Sequence, residues 1–302
     1  MYHYVRDIKN SEFQGIKGLE KEEFIKQINY LKKNFSFTTI DEIIENIYEN
    51  REFKKKSVLL TFDDGLKDHF SNVLPILKQN EIKGSFFIPI KPIETKIVLD
   101  VHKIHLILAK VNNFEIIIHE IKKFISNNEK LYKMKSFEEY YESFSLSSRY
   151  DPKEIIFIKR MLQRELPEKL RVEIVEKLFK KFVIDNEMIF AEKFYLNQEE
   201  MNEMSELGMY IGSHGYSHEW FTKLSNIELQ KEISLCIEFE KKYNKKSQLV
   251  MCYPYGGYTE KISDLVNNMG YKLGLTTDVG DAILSQKNAL TLQRYDTNDF
   301  PK

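Results

Sequence analysis

A parallel α/β fold, either a barrel or a doubly wound sheet, is what this 302-residue sequence predicts. The expectation rests on three observations. Short apolar runs rich in β-branched and aromatic residues recur, bounded by glycine or polar turns. Stretches with apolar residues at helical spacing separate most of those runs. The residues with the most evident chemistry stand where apolar runs end, and in parallel α/β folds the loops after the strands face one rim.

Taken in order, Phe24, Ile25, Ile28 and Leu31 recur among lysines and glutamates and predict a helix over 20–34. Residues 37–40 read as a short strand, and Asp41 is placed to cap a helix carrying Ile43, Ile44 and Ile47. The basic run Lys54-Lys55-Lys56 leads into Ser57-Val-Leu-Leu-Thr-Phe-Asp-Asp-Gly65. Residues 58–62 of that stretch have the content of a buried strand, and Gly65 marks a turn. Residues 68–79 predict a helix with Pro75 as a kink, and 85–90, after Gly84, a second buried strand.

From about 95 to 192 glycine is absent, and lysine, glutamate and isoleucine dominate. Helical patterns recur over 101–110, 114–126 and 170–183, so this block reads as a helical insertion within the α/β domain. The earlier rhythm then resumes. Asn197 is placed to cap a helix over 198–207 that exits at Gly208. A strand over 209–213 runs straight into His214-Gly-Tyr-Ser-His218. A helix over 226–243, a strand over 249–253, a Thr259-capped helix closing at Gly270, and strands over 271–277 and 290–295 follow. Roughly seven strands result, most separated by helices.

The hydrophobic fraction of 42% suits a globular core, and the net charge of -1 argues against a broad nucleic-acid footprint. The 30% of charged residues are mainly lysine and glutamate in helical stretches, as on a solvated surface. Two cysteines, Cys236 and Cys252, make no disulfide framework, which predicts a reducing compartment. Residues 1–7 lack the basic start and apolar core of a signal peptide, and no apolar run approaches membrane-spanning length. The expectation is a cytoplasmic protein with no nucleic-acid partner and no transmembrane segment.

Asp63-Asp64 brings two adjacent charges to the end of a buried strand, where water or a cation must compensate them. His214-x-x-x-His218 and Tyr253-Pro-Tyr255-Gly-Gly257 end later strands. One carboxylate and two imidazoles make a facial set of ligands with open positions, suited to zinc or a similar divalent ion. Adjacent strand residues point to opposite sides, so one aspartate can ligate while the other serves as general base. Each piece alone has a plainer reading: an ordinary Asp-Asp-Gly turn, a weak histidine spacing in which Gly212 and Gly215 argue against a helix, and a common turn composition. Their joint occurrence at strand ends, in this order, favours a site.

Thr61-Phe-Asp-Asp-Gly65, Ser213-His-x-x-x-His218 and Tyr253-Pro-Tyr255-Gly resemble the first three motifs of the polysaccharide deacetylase (NodB-like, carbohydrate esterase) family. The resemblance covers about residues 57–90 and 195–296. It implies a distorted (β/α) barrel forming one catalytic domain over 1–302, interrupted by the helical insertion at about 95–192. It also implies hydrolysis of an N-acetyl group from an amino sugar with a bound divalent metal, most simply Zn2+. By position, Asp63 matches the family's base, Asp64, His214 and His218 its metal ligands, and Tyr255 the residue whose backbone N–H holds the oxyanion.

The sequence departs from the family in two places. The third motif usually opens with an arginine that pairs with the catalytic aspartate, and Cys252 stands there instead. Arg294, in Leu292-Gln-Arg-Tyr-Asp296, can enter from the last strand and hold Asp63, although a surface salt bridge is its plainer reading. The family's late Leu-x-His motif, source of the catalytic acid, is absent, since no histidine follows His218. His105, beside His102 on one helical face, and His3, on an N-terminal strand near the barrel mouth, are the candidate acids. Asp68 and His69 read as local capping residues, and Tyr216, Trp220, Phe221 and Tyr258 as core or as the lining of a sugar subsite.

The expected function is a metal-dependent carbohydrate de-N-acetylase of surface-glycan synthesis. Its substrate would be an acetylated amino sugar, nucleotide-linked, lipid-linked or within an oligosaccharide. A deformylase or other sugar-amide hydrolase is one alternative. A catalytically inactive glycan-binding homologue is the other; the missing arginine and histidine motivate it, and the retention of Asp63 argues against it.

Overall fold

Side-chain alternation along the apolar runs builds a curled parallel sheet that is buried on both faces. The computed structural model describes residues 1–49, 51–53, 55–147, 151–244 and 248–301, so Lys54 of the basic run lies outside the described residues. The chain divides into two compact units: Met1–Asp7 with Gly18–Ile97 and Ala191–Lys302, and Ile8–Lys17 with Val98–Phe190.

The first unit holds β1 (Val5–Arg6), β2 (Leu19–Glu20), β3 (Ser36–Phe37), β4 (Ser57–Val58), β5 (Leu60–Asp63), β6 (Gly84–Ile88), β7 (Tyr210–Ser213), β8 (Val250–Cys252) and β9 (Leu273–Leu275). Strands β5 to β9 pair in chain order as a five-stranded parallel half-barrel, while β1–β2 and β3–β4 are separate two-stranded pairs. Register aligns Asp63 with Phe87, Phe87 with Gly212, and Ser213 with Met251, which brings the three strand ends level. Single bridges extend both edges, Tyr2 on Phe62 and Leu292 on Leu275. The strand expected over 290–295 is thus one bridge. Its close approach requires Gly274, because a Cβ there would lie 2.2 Å from the Leu290 carbonyl oxygen.

The two faces of the sheet have different partners. Leu60, Phe62, Phe86, Ile88 and Ile211 pack with Phe24, Ile28 and Leu31 of helix Lys21–Asn34. The Phe62 and Phe86 rings stack at 4.7 Å. Each such fully buried side chain contributes about 1.5–3 kcal/mol. Phe87, Tyr210, Val250, Cys252, Leu273 and Leu275 face the other way and pack with Ile40, Ile43 and Ile47 of helix Ile40–Glu49. Alternation along β5 places Asp63 on this second face.

Two local expectations change. Helix Ile40–Glu49 starts before Asp41, and its cap is Thr39, whose Oγ1 accepts from Glu42 N–H at 3.3 Å while the Glu42 carboxylate accepts from Thr39 N–H at 2.8 Å. The helix expected over 68–79 opens as a π turn, His69–Val73, before the α-helical Leu74–Gln79, where Pro75 occupies an early position that needs no N–H.

The second unit is helical, with Asp100–Lys110, Glu115–Tyr132, Phe137–Phe144, Lys153–Arg160 and Glu168–Phe182. It also takes in Ile8–Lys17, where the sequence shows no helical signal; an added Cβ at Gly15 would stand 2.9 Å from the Ala109 carbonyl oxygen. Buried Lys103 is neutralised by Glu176 and by Glu187 at 2.8 Å. No helix among the described residues is long and apolar enough to cross a membrane.

Candidate active site

Beyond Asp63 the chain turns through two left-handed residues, Asp64 (φ 81°) and Gly65 (φ 60°). Ile88 closes over the turn so tightly that a Cβ at Gly65 would come within 2.8 Å of its Cγ2. The turn aims Asp64 at the histidine loop. Its Oδ1 lies 3.7 Å from His214 Nε2 and 3.5 Å from His218 Nε2, and the three side chains are buried. Their donor atoms all fall within 4.8 Å of one another.

The His214 ring is set for ligation. Its Nδ1 lies 2.9 Å from the Cys252 carbonyl oxygen, which can only accept, so the proton sits on Nδ1 and Nε2 presents a lone pair towards Asp64. Burial lowers the pKa of the ring to about 4, keeping it neutral at pH 7. One carboxylate oxygen facing imidazole nitrogens, with no lysine or arginine in the group, fits a divalent ion of the zinc type.

Asp63 pairs with Arg294, and its carboxylate also stays within 4.8 Å of a His214 ring nitrogen. Nη1 donates to Oδ1 at 2.9 Å and Nη2 to Oδ2 at 2.8 Å. Arg294 is itself held by Nε donation to the Thr276 carbonyl at 2.7 Å and by Nη1 donation to Thr61 Oγ1 at 3.2 Å. Burial pushes the Asp63 carboxyl up, but the adjacent guanidinium outweighs it and holds the group well below the usual carboxylate range. Cys252 lies in the same pocket, its Sγ within 4.8 Å of ligand atoms of Asp63 and His214. Burial raises its thiol well above the ordinary value, so it stays protonated and is a poor ligand.

Tyr255, like Asp64, is a left-handed non-glycine residue, at φ 56° inside the 3-10 turn Pro254–Gly256. Its ring stacks on Trp220 at 4.8 Å and 6° and approaches the His218 ring at 4.6 Å. Gly256, at φ 69°, admits no Cβ, since one would lie 2.1 Å from Thr277 Oγ1. Trp220 therefore braces the turn, and Phe221 is core.

The N-terminal segment runs beside β5: Tyr2 N–H donates to the Thr61 carbonyl at 2.8 Å, and Asp63 N–H to the Tyr2 carbonyl at 2.9 Å. His3 follows at the rim, and its carbonyl accepts from His69 Nε2 at 2.9 Å. His69 is thus a buried anchor, and Asp68 pairs with Arg6 at 2.6 Å rather than capping a helix. His105 lies in the helical unit on helix Asp100–Lys110, its ring 6.2 Å from that of His102. Tyr258 donates to Asp278 at 3.1 Å.

Helix Asn226–Tyr243 carries two carboxylates that sequence reasoning missed. Glu240 is fully buried and accepts from Ser213 Oγ at 2.6 Å, just before His214. Glu232 accepts from the N–H groups of Tyr216 and Ser217, at 2.9 and 3.0 Å. Their signal was the spacing Glu232, Cys236, Glu240, which puts both acids on the face of an apolar residue.

The family model for polysaccharide deacetylase matches residues 50–113 and 176–274. The Bacillus subtilis (strain 168) protein YxkH, named as a polysaccharide deacetylase, is 30% identical over 95 residues, 31% of this chain and 34% of its own length. The match thus spans about a third of that curated relative. Among solved structures, the Streptococcus pyogenes deacetylase PplD in complex with acetate aligns at TM-score 0.58 with 17% identity, covering 97% of this chain and 88% of the other. IcaB from Ammonifex degensii aligns at 0.54 with 15% identity over 99% and 91%. A de-N-acetylase from Aggregatibacter actinomycetemcomitans aligns at 0.56 with 15% identity over 97% and 91%. These structures share the fold. The chain belongs to the polysaccharide deacetylase family.

Proposed function

We propose that the protein is a metal-dependent hydrolase that removes the N-acetyl group from an amino sugar. The observation that carries this reading is the separation of two adjacent carboxylates: Asp63 is engaged by Arg294, while Asp64 faces His214 and His218. Binding alone has no use for an ionised, oriented carboxylate beside the ligand one. Family membership supports the reaction class.

Asp64, His214 and His218 would hold the ion, with Zn2+ the simplest choice for this donor set. When bound, it polarises the acetamide carbonyl and acidifies the attacking water. Asp63, kept ionised by Arg294, takes the proton from that water as it adds to the carbonyl carbon. The Tyr255 backbone N–H donates to the oxyanion that develops. Collapse breaks the carbon–nitrogen bond, acetate leaves, and the amine nitrogen takes one proton. We assign that proton to His3, which the N-terminal segment carries to the rim beside Asp63. Arg294 performs from the far edge of the sheet the pairing that the family's third motif supplies from position 252.

The substrate in this reading is a nucleotide-linked, lipid-linked or oligosaccharide amino sugar of surface-glycan synthesis. Both cysteines are free and buried, which supports a reducing, cytoplasmic setting. Mass spectrometry of such sugars after incubation with the zinc-loaded protein tests the reaction. A loss of about 42 mass units with release of acetate is expected from acetyl-to-amine conversion. Formate in its place would make the protein a deformylase. Binding of the sugars without turnover would make it a glycan-binding homologue.

A further inference from the structure

We propose that Glu232 is the positioning residue that holds His218 at ligand distance from Asp64, an inference that rests on the metal-site reading above. The two histidines are held in different ways. His214 is fixed through its own ring, by the Cys252 carbonyl, and through its backbone, by N–H donation to the Ile88 carbonyl at 2.9 Å. His218 has no such ring anchor, for its Nδ1 is buried without a hydrogen-bond partner. A metal-binding imidazole ordinarily takes its orientation from a bond at the second nitrogen. Here the orientation comes from ring packing against His214 and Tyr255 and from the backbone, which is left-handed at His218 (φ 61°).

That backbone is gripped on two sides. Ile90 N–H and Lys91 N–H, opening helix Ile90–Thr95, donate to the Gly215 and Tyr216 carbonyls at 3.3 and 2.8 Å. On the other side, one oxygen of Glu232 accepts both Tyr216 N–H at 2.9 Å and Ser217 N–H at 3.0 Å. Every residue between the two ligands is thereby pinned, and Ser217 N–H is the last pinned group before His218. One oxygen shared by adjacent amides fixes the direction of both N–H groups as well as their distance. The helix beneath is secured, with a Ser225–Glu228 capping box at its start and Glu240 bonded to Ser213 near its end. Loss of the Glu232 carboxylate would release the loop where the ring has packing against His214 and Tyr255 but no hydrogen bond at Nδ1.

The test is a zinc titration against a competing chelator, run on the full chain as wild type, Glu232→Ala, Glu232→Gln and His218→Ala. Glu232→Ala is expected to lose zinc affinity on the order of 10-fold, as outer partners of metal ligands do. Glu232→Gln, whose amide oxygen can accept the same N–H groups, is expected to restore it. The visible absorption of the cobalt-loaded protein should shift in the alanine variant and return in the glutamine variant. A merely structural role would lower the unfolding temperature without moving the cobalt spectrum. Should the alanine variant not fold, Glu232→Asp keeps the charge but withdraws the oxygen by one methylene, and the same loss is expected. Wild-type affinity and spectrum in Glu232→Ala or Glu232→Asp, with loss in His218→Ala, would overturn this inference and leave the metal site standing. Wild-type protein that takes up no zinc or cobalt would overturn both.

Discussion

Arg294 and Asp63, 231 residues apart in sequence, meet in a buried two-pronged ion pair with contacts of 2.9 and 2.8 Å. The pair closes the half-barrel across its ends, because Arg294 follows the bridge at one edge of the sheet and Asp63 ends the strand at the other. Arg294→Met would leave Asp63 buried and unpaired. Removing one partner of such a pair costs about 3–5 kcal/mol. Urea unfolding should show a loss of that order, and turnover should fall with it. Unchanged stability and turnover would refute the role given to Arg294.

The same pair predicts an acid limb in the stability profile. The folded pKa of Asp63 lies below its unfolded value, so its contribution is present above the ordinary carboxylate range and is lost as pH falls through that range and below. Stability measured from neutral pH downward should decline less steeply in Asp63→Asn than in wild type.

Glu240 predicts the opposite limb. Burial raises its carboxyl to about 7, against the hydrogen bonds from Ser213, Tyr210 and Val250 that favour the charged form. A folded pKa above the unfolded one means stability that is present at low pH and lost as pH rises through about 7. Glu240→Gln should flatten the urea midpoint between about pH 5 and about pH 8. An unchanged slope would show that Glu240 does not titrate there.

Gly256→Ala should damage turnover through the backbone. The new Cβ would meet Thr277 Oγ1 at 2.1 Å, and φ 69° is strained for alanine. The displaced turn carries Tyr255. A stability loss of about 1–3 kcal/mol is expected from the clash. A fall in kcat exceeding any change in KM would support the oxyanion role proposed for the Tyr255 N–H.

Much of this architecture was legible because strand ends carry local signals. The apolar run into Asp63-Asp64-Gly65 and the run into His214 each announce a strand and a turn together. The second forms as Tyr210–Ser213, while the first, read as one strand over 58–62, breaks at Leu59 into Ser57–Val58 and Leu60–Asp63 in separate sheets. Strand number was less legible. Of the nine strands among the described residues, five pair into the main sheet, while the segments at Tyr2 and Leu292 join it by single bridges, since bridge pairing depends on tertiary approach more than on composition. Thr39 displaced Asp41 as a cap because the reciprocal bond with Glu42 decides the helix start. Glu232 and Glu240, whose only signal was their spacing around Cys236, were missed for a different reason. A glutamate among lysines on an amphipathic helix reads as solvated until a strand and a loop dock on it. The segment Ile8–Lys17 joined the helical unit through non-local packing that no sequence window contains.

The most direct measurement combines zinc content with acetate release in one set of samples: wild type, Asp63→Asn, His214→Ala and His218→Ala, each given acetylated amino sugars. The account predicts that wild type holds zinc and releases acetate, that a chelator stops release and added zinc restores it, that Asp63→Asn holds zinc without releasing acetate, and that the two histidine variants lose the metal. Zinc retained in both histidine variants, or acetate released at the wild-type rate by Asp63→Asn, would contradict it.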